Sequence, residues 1–159
     1  MGNDYLISKI KNMYIMLLYA ISKEDIDRVR LHLSDDLASE FEEMINDNIA
    51  NNVIQKYGEL NVASVDIISI KNDLITARII AKYIDYKIDR VSKNFVSGDK
   101  VRSEYEVLLR IRYQKHNEAM VYRCENCGAI LDINLTGVCE HCDEPVDDSD
   151  SVYVIESIE

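Results

Sequence analysis

The sequence contains no tryptophan and only one proline, and it has five glycines among its 159 residues. So few turn-forming and helix-breaking residues predict long regular elements rather than a chain made mostly of loops. With 47% hydrophobic and 30% charged residues, the composition is typical of a folded protein rather than a disordered one. We expect a single domain over residues 1–159, which is long enough to bury a sizeable core.

Long apolar runs are also missing. The longest run covers residues 13–21, and its nine residues are about half of what a helix needs to span a membrane. No small-residue cleavage site follows it, so we expect no signal peptide. A membrane anchor upstream would require that the sequence is a fragment of a longer protein.

Basic residues are absent from the last part of the chain. Residues 124–159 contain ten acidic residues and no Lys or Arg, and they account for most of the net charge of −11. A segment with this charge repels the phosphate backbone of nucleic acids. We therefore expect that the protein does not bind nucleic acid.

All four cysteines lie within this acidic segment. Cys124 and Cys127 form one Cys-x-x-Cys pair, and Cys139 and Cys142 form a second pair after eleven intervening residues. Two such pairs can supply the four thiolates of a tetrahedral structural Zn²⁺ site. We predict one structural zinc ion per chain, held by a zinc-ribbon insertion at residues 124–142. The alternatives are two disulfides or four buried thiols. If the cysteines bind zinc they are reduced, and reduced cysteines favour a cytoplasmic location.

The first half of the chain has the spacing of helices. Residues 4–21 place apolar side chains at steps of three and four, which predicts a helix with a buried stripe. Ser22 is a typical N-cap for a short second helix that reaches Leu33. Ser34 is a second N-cap, and the third helix is expected to run to about Tyr57.

The second half has the alternation of strands, which predicts an antiparallel sheet. The expected strands and turns are a strand over residues 62–70 with a phase change at Ile67–Ile68, a turn at Asn72-Asp73, a strand over residues 74–91, a turn at Ser97-Gly98-Asp99, a strand over residues 101–113, a fourth strand from Met120 and a last strand over residues 152–158. Three helices followed by such strands predict an α+β fold, with the helices on one face of a curved sheet.

Several short stretches of sequence, together with the order of the predicted helices and strands, are typical of a known family. They are Tyr14 to Tyr19, Asp25–Arg30, Leu33–Leu37, Glu104–Arg110 and the Cys-x-x-Cys-Gly-Ala stretch before the last strand. This pattern resembles the Tim-forty-four-like family, which includes the C-terminal domain of a mitochondrial import-motor subunit and many bacterial domains. The resemblance implies a cystatin-like cone, similar to nuclear transport factor two, in which helices close one mouth of a curled sheet over an apolar pocket. It also implies binding to partner proteins and peripheral association with membrane lipid, and no catalytic residues are defined for the family.

We therefore expect a non-enzymatic protein- or lipid-binding module with an unidentified protein partner. The alternative is a small-molecule-binding protein or a lyase- or isomerase-type enzyme that uses a pocket in the cone. Asn48 and Asn52, on the apolar face of the third helix, and Tyr105 are the candidate pocket residues. An enzyme would draw its acid and base from strand carboxylates, for which the candidates are Asp66, Asp85 and Asp89.

A basic strip surrounds the second predicted hairpin. Its members are Lys87, Arg90, Lys93, Lys100 and Arg102. Such a strip can bind anionic lipid head groups or an acidic partner, and the alternative is a solvated strand end that offsets the acidic remainder. The lipid interpretation would place the protein in the cytoplasm, peripheral to the inner face of a membrane.

Overall fold

The computed structural model describes residues 4–115, Cys127 and residues 151–159. In this part of the chain, helices come first and an antiparallel sheet follows, so the predicted α+β fold class is confirmed. None of the helices described is long and apolar enough to cross a membrane. The strand predicted from Met120, and the zinc ribbon at residues 124–142 except for Cys127, lie outside the described residues.

Helix α1 spans Asp4–Lys23 and confirms the first predicted helix. Its apolar residues recur every three or four positions, so one side of the helix can be buried along its whole length. The buried residues are Leu6, Ile10, Met13, Tyr14, Leu17, Leu18, Ala20 and Ile21. This side packs against the sheet and supplies the helical half of the core.

The prediction of a second α-helix is wrong. Between α1 and the next helix the chain forms two 3-10 turns, Ile26–Arg28 and Arg30–His32. Glu24 ends α1 because it adopts a left-handed conformation with φ 58°. The segment that follows is too short to overcome the unfavourable nucleation of an α-helix. The two 3-10 turns are tighter than an α-helix and still allow Val29 and Leu33 to be buried. The described residues therefore contain two α-helices rather than three.

Helix α2 spans Asp35–Ala50 and ends before the predicted Tyr57. Its start is as expected, because the Ser34 hydroxyl accepts a hydrogen bond from the backbone N–H of Leu37 over 3.3 Å. Its end differs because Asn52 adopts φ 59°, a left-handed conformation that asparagine tolerates and that stops a helix. The chain enters the sheet directly after this residue.

The sheet is antiparallel throughout. Its strands are β1 at Val53–Lys71, β2 at Leu74–Asp89, β3 at Phe95–Gly98, β4 at Ser103–Lys115 and β5 at Ser151–Ile158. They stand in the order β1-β2-β4-β5, and β3 also pairs with β2. The predicted turn at Asn72-Asp73 is confirmed, and the predicted phase change is confirmed as a register shift between Ile67 and Ser69.

The turn predicted at Ser97-Gly98-Asp99 is wrong. β3 pairs with the last residues of β2, and β4 continues along the same side of β2. The chain reverses earlier, at residues 90–94, and residues 99–102 leave the sheet between β3 and β4. Residues 90–94 therefore form the end of the hairpin, and residues 99–102 interrupt the pairing along β2 between its β3 and β4 partners.

One face of the sheet is buried beneath the helices, as the alternation predicts. The buried side chains on its central strands and on β5 are Ile75, Ala77, Ile79, Ala81, Tyr83, Leu109, Ile111, Tyr113, Tyr153 and Ile155. Val101 was expected to point the same way, but it is 71% exposed because it lies before β4 begins. The period-two pattern thus identifies the core face correctly and overestimates the length of the strand.

Candidate functional site

We call residues 91–102 the hairpin tip, and all of them are exposed. Four are large apolar residues with high exposed fractions: Val91 at 82%, Phe95 at 42%, Val96 at 50% and Val101 at 71%. The charged residues of the hairpin tip are Lys93, Asp99, Lys100 and Arg102, which give it a net charge of +2. Exposed apolar residues grouped with basic ones, on a chain of net charge −11, mark this end of the sheet as a candidate interaction site.

Arg90 fixes the base of the hairpin tip to the end of α1. Its two terminal nitrogens donate to the two carboxylate oxygens of Glu24 over 2.6 and 2.7 Å, and one of them also donates to the carbonyl of Val53 over 2.8 Å. Its backbone N–H donates to the carbonyl of Asn52 over 2.9 Å. The structure thus uses Arg90 in an internal bidentate ion pair rather than on the exposed basic surface.

Asp89 closes the turn that begins the hairpin tip. One oxygen of its carboxylate accepts hydrogen bonds from the backbone N–H groups of Ser92 and Val91 over 2.7 and 2.9 Å. Its other oxygen accepts a hydrogen bond from the side-chain amide of Asn52 over 3.2 Å. The backbone N–H groups of Ser92 and Val91 hold the pKa of Asp89 below its usual value. This candidate base therefore serves as the cap of a turn, and Asn52 lies at that turn rather than on α2.

The predicted basic strip is divided by the structure. Lys93, Lys100 and Arg102 belong to the hairpin tip, whereas Lys87 is half-buried on β2. The Lys93 ammonium donates to a backbone carbonyl at the base of the hairpin tip over 2.7 Å. The Lys100 ammonium lies 4.9 Å from the ring centroid of Phe95, within reach of a cation–π interaction. Three of the five predicted residues therefore belong to the exposed hairpin tip.

Sequence reasoning missed the apolar members of the hairpin tip. Val101 was assigned to the core face of a strand, and Val91 to the end of another. The signal that was available is the interleaving of valine and phenylalanine with lysine and arginine on both sides of Gly98. That pattern differs from a half-buried strand, in which polar residues occupy every second position.

Gly98 allows β3 to approach β2 closely. It has φ 106°, and a Cβ atom at this position would stand 2.5 Å from the carbonyl oxygen of Asp85 and 2.6 Å from the Cα of Tyr86. Both are backbone atoms, which cannot turn aside as the end of a side chain can. A glycine is therefore required where the hairpin tip joins the sheet.

The Gly98→Ala substitution is expected to lower the free energy of unfolding by about 1–3 kcal/mol, through backbone strain and steric overlap. Gly58→Ala is the matched control, because its φ is not left-handed and its nearest neighbour would be a ring atom of Tyr86 at 3.2 Å. Chemical denaturation of both variants measures the difference. Equal stability of the two variants would contradict the close approach of β3 and β2.

Four tyrosines meet on the helix-facing side of the sheet. The ring of Tyr83 stacks on Tyr105 with centroids 4.2 Å apart and meets Tyr57 edge-on at 5.3 Å. A hydrogen bond links Tyr83 to Tyr14 of α1. Burial raises the pKa of all four hydroxyls, and the negative charge of Asp85 raises the pKa of Tyr57 and Tyr83 further.

These raised pKa values predict a loss of stability in alkali. The usual tyrosine pKa is 10.0, so the unfolded chain releases these protons as the pH rises above that value while the folded chain retains them. The stabilising contribution is complete below pH 10.0 and decreases above it. Denaturation midpoints measured across this range should fall, and Tyr57→Phe should reduce the fall while the same change at exposed Tyr19 should not. A midpoint that stays constant would contradict burial of the cluster.

The remaining candidate pocket and acid–base residues occupy separate environments. Asp66 is exposed and lies 3.6 Å from Arg78 of the neighbouring strand. Asp85 accepts a hydrogen bond from the amide of Gln55 over 2.6 Å, near the tyrosines. Asn48 is buried on α2 with 4% of its surface exposed. Only Asp85 is thus associated with other candidate acid–base groups.

Among the predicted zinc ligands, the structure describes Cys127, which is exposed. The other three lie outside the described residues: Cys124, Cys139 and Cys142. In the described part of the chain, no group of three or more His, Cys, Asp or Glu residues is arranged to hold a metal ion. β4 and β5 pair as far as Lys115 and Ser151, so residues 116–150 leave and rejoin the sheet at adjacent positions. The zinc ribbon stays a prediction.

Comparison with known protein families matches residues 3–108 to the Tim44-like domain. The match begins at α1, includes α2, β1, β2 and the hairpin tip, and ends within β4 before the cysteines. No curated protein matches the chain significantly. Because the matched residues make up more than half of the sequence and confirm the resemblance stated above, the chain belongs to the family of Tim44-like domains.

Proposed function

We propose that the protein is a non-enzymatic binding module for a protein or lipid partner, and that a structural zinc site stabilises it. Membership of the Tim44-like family supports a binding role in general. The observation that carries the proposal is the hairpin tip, whose apolar residues are exposed although Asp89 and the Arg90–Glu24 ion pair hold its base in place. An apolar surface that is already ordered loses little conformational entropy when it binds.

The zinc part of the proposal depends on the two Cys-x-x-Cys pairs. Four thiolates, from Cys124, Cys127, Cys139 and Cys142, would fill the coordination sphere of the ion and leave no position for a reactive water. The ion would then serve to stabilise the fold rather than to catalyse a reaction. The zinc ion would link distant parts of the connection at residues 116–150. It would thereby lower the entropic cost of closing this connection when β5 pairs with β4.

The proposed location is the cytoplasm, at the inner face of a membrane whenever the partner is lipid. Reduced zinc-binding cysteines favour a reducing compartment. Nucleic acid is not a proposed partner, because residues 124–159 carry ten acidic residues and no basic residue.

A small-molecule-binding protein or a lyase- or isomerase-type enzyme is the second candidate. It is favoured by Asp85, whose charge acts on the buried hydroxyls of Tyr57 and Tyr83. A carboxylate beside phenols can transfer protons. The hydrogen bond from Gln55 to Asp85 supplies a structural role for the same carboxylate, so we rank this function below binding.

Affinity capture from the native cell tests the two functions against each other. The baits are the wild-type protein, Val101→Ser and Asp85→Asn, and mass spectrometry identifies the proteins, lipids and small molecules that each bait retains. The binding module predicts a partner that is retained by the wild type and by Asp85→Asn but weakly by Val101→Ser. A retained small molecule that the purified protein converts, and that Asp85→Asn does not convert, would contradict the proposal.

A further inference from the structure

We propose that the helix-facing side of the sheet carries a binding site for an alkylated ammonium ion, formed by the rings of Tyr57, Tyr83 and Tyr105 and by the carboxylate of Asp85. We call these four residues the tyrosine–carboxylate site. The ammonium group belongs to a free small molecule or to a methylated lysine of a partner protein, because both present the same chemistry. The site uses residues outside the hairpin tip, so this inference goes beyond the function proposed for that surface.

Asp85 has no positively charged partner among the residues that the structure describes. Asp66, by contrast, lies 3.6 Å from Arg78 on the other face of the sheet. Lys87 is two residues further along β2 on the same face as Asp85, but in the described part of the chain no ion pair joins them. A partly buried carboxylate loses part of its hydration, and a cation bound beside it would compensate for that loss.

Gln55 holds one oxygen of this carboxylate and leaves the other available. Its amide nitrogen donates to Oδ1 of Asp85 over 2.6 Å and lies 3.0 and 3.2 Å from the carbonyl oxygens of Lys56 and Tyr86. Gln55 is itself 7% exposed, so these contacts fix its position. Within the described residues, Oδ2 of Asp85 accepts no hydrogen bond. The charge is therefore in place before a ligand arrives, which lowers the entropic cost of binding.

The three rings supply faces that attract an organic cation. Tyr57 lies opposite Asp85 on the neighbouring strand, and Tyr83 shares the face of Asp85 because it precedes it by two residues. The planes of Tyr57 and Tyr83 meet at 89° and form two walls of a corner. Tyr105 stacks on Tyr83 and thickens the second wall. The negative face of an aromatic ring attracts alkylated ammonium ions, and groups of such rings are their usual binding sites.

Asp85 is the one charged member of the site. Burial is the largest cause of the raised pKa of the Tyr57, Tyr83 and Tyr105 hydroxyls, and the negative charge of Asp85 raises the pKa of each of them further. The carboxylate therefore lies within electrostatic reach of all three rings. The phenols stay neutral at physiological pH, so the rings solvate a cation while Asp85 balances its charge.

The exposure of the four residues allows a ligand to reach them from solvent. Tyr83 is 8% exposed and forms the inner wall, whereas Tyr57, Tyr105 and Asp85 are partly exposed. A hard metal ion would need several oxygen ligands, and the described part of the chain contains no group of three or more His, Cys, Asp or Glu residues arranged to hold one. One carboxylate beside three rings fits an ion whose single charge is surrounded by methyl or methylene groups.

Calorimetric titration of the wild-type chain tests the class of ligand. Choline and tetramethylammonium are the probes for a free ligand, and a peptide that contains trimethylated lysine is the probe for a partner protein. The matched control is the neutral analogue of choline in which a tert-butyl group replaces the trimethylammonium group. We expect the analogue to bind at least about tenfold more weakly than choline. Tighter binding of the peptide than of choline would support a partner protein as the source, and the reverse would support a small molecule.

Variants of the site test which groups hold the cation. Asp85→Asn keeps the shape of the side chain and removes its charge, so it should weaken tetramethylammonium binding by about tenfold or more. Tyr57→Leu should have an effect of similar size, and Tyr57→Phe, which keeps the ring, should restore most of the lost binding. Asp66→Asn and Tyr19→Leu are the controls on other surfaces and should bind as the wild type does. Thermal unfolding checks each variant, and Asp85→Asn keeps the test decisive if Tyr57→Leu fails to fold.

Three outcomes would overturn the inference. The first is a wild-type chain that binds none of the alkylated ammonium probes. The second is equal binding of choline and its neutral analogue, which would indicate an apolar pocket rather than a cation site. The third is binding that Asp85→Asn leaves unchanged. The capture experiment with Val101→Ser tests the hairpin tip instead, so failure of this inference is distinguishable from failure of the proposed function.

Discussion

The Cys142→Ser variant is expected to lose its bound zinc and to melt about 10 °C below the wild-type protein. Structural zinc sites contribute apparent binding free energies on the order of 10 kcal/mol, and a site with one thiolate fewer holds the ion far less tightly. Without zinc, the connection between β4 and β5 at residues 116–150 would have to close as one long loop. Closing such a loop reduces the stability of the pairing between β5 and β4 by about 3 kcal/mol.

The position of β5 explains why this loss should affect the whole domain. Tyr153 and Ile155 on β5 are 0% and 1% exposed beneath the helical layer. The carbonyl of Ile155 accepts a hydrogen bond from the backbone N–H of Ser34 over 2.9 Å, at the start of α2. A less stable β5 therefore removes support from both the core and the first turn of this helix.

The chain contains its own control for the zinc ligands. His141 lies between Cys139 and Cys142, and because both Cys-x-x-Cys pairs are complete we expect His141→Ala to retain one zinc per chain. Native mass spectrometry measures zinc content, and thermal unfolding with and without a chelator measures the effect of the ion. A metal-free protein with an unchanged melting temperature, or equal zinc loss in His141→Ala, would contradict the predicted site.

The Leu17→Ala variant is expected to lose about 2–5 kcal/mol of unfolding free energy. Leu17 is 1% exposed on the side of α1 that faces the sheet, so its truncation would leave a cavity in the core. In a chain of this length each kcal/mol lowers the melting temperature by about 2–4 °C. The expected change in melting temperature is thus large enough to measure by thermal unfolding alone.

Met16 provides the matched control for this substitution. It precedes Leu17 on the same helix but is 45% exposed. Met16→Ala keeps a residue with good helix propensity and removes little buried surface, so its effect should be within about 0.5 kcal/mol. Chemical denaturation compares the two variants, and similar losses in both would show that α1 does not pack on the sheet as described.

The elements predicted correctly are those whose periodicity extends over many residues. The stripe from Leu6 to Ile21 identifies α1, and the alternation from Ile75 to Tyr83 identifies the buried face of β2. In α1 the apolar residues recur with the period of a helix, and in β2 they recur with the period of a strand. Local sequence is sufficient to predict α1 and β2, because the same apolar period is repeated along the whole length of each element.

The end of α2 could not be predicted because two patterns overlap. Ile45, Ile49 and Val53 continue a helical spacing of four, which favoured a helix to Tyr57. In the structure Val53 lies opposite Asp89 and starts β1 instead. The partner strand lies far away in sequence, so the pairing that decides between helix and strand is invisible to a local pattern.

The hairpin turn was misplaced for a related reason. Glycine is common in turns, so Gly98 indicated a turn. In the structure it instead allows β3 to approach β2 closely. The turn itself depends on the carboxylate of Asp89, which accepts hydrogen bonds from the backbone N–H groups that follow it. This error concealed the candidate site, because it assigned Val101 to the core and left the hairpin tip unrecognised as one surface.

β1 is an edge of the sheet, since β2 is its neighbour among the described strands. A straight edge of its length, 19 residues, would offer a long row of backbone N–H and C=O groups to another chain. That row is interrupted by register shifts at Gly58–Asn61, Val62–Ser64 and Ile67–Ser69. Such bulges bend and twist a strand, so a second molecule cannot pair along the whole edge. The irregularities of β1 therefore protect the protein from edge-to-edge aggregation, although Ile68 and Ile70 are exposed there.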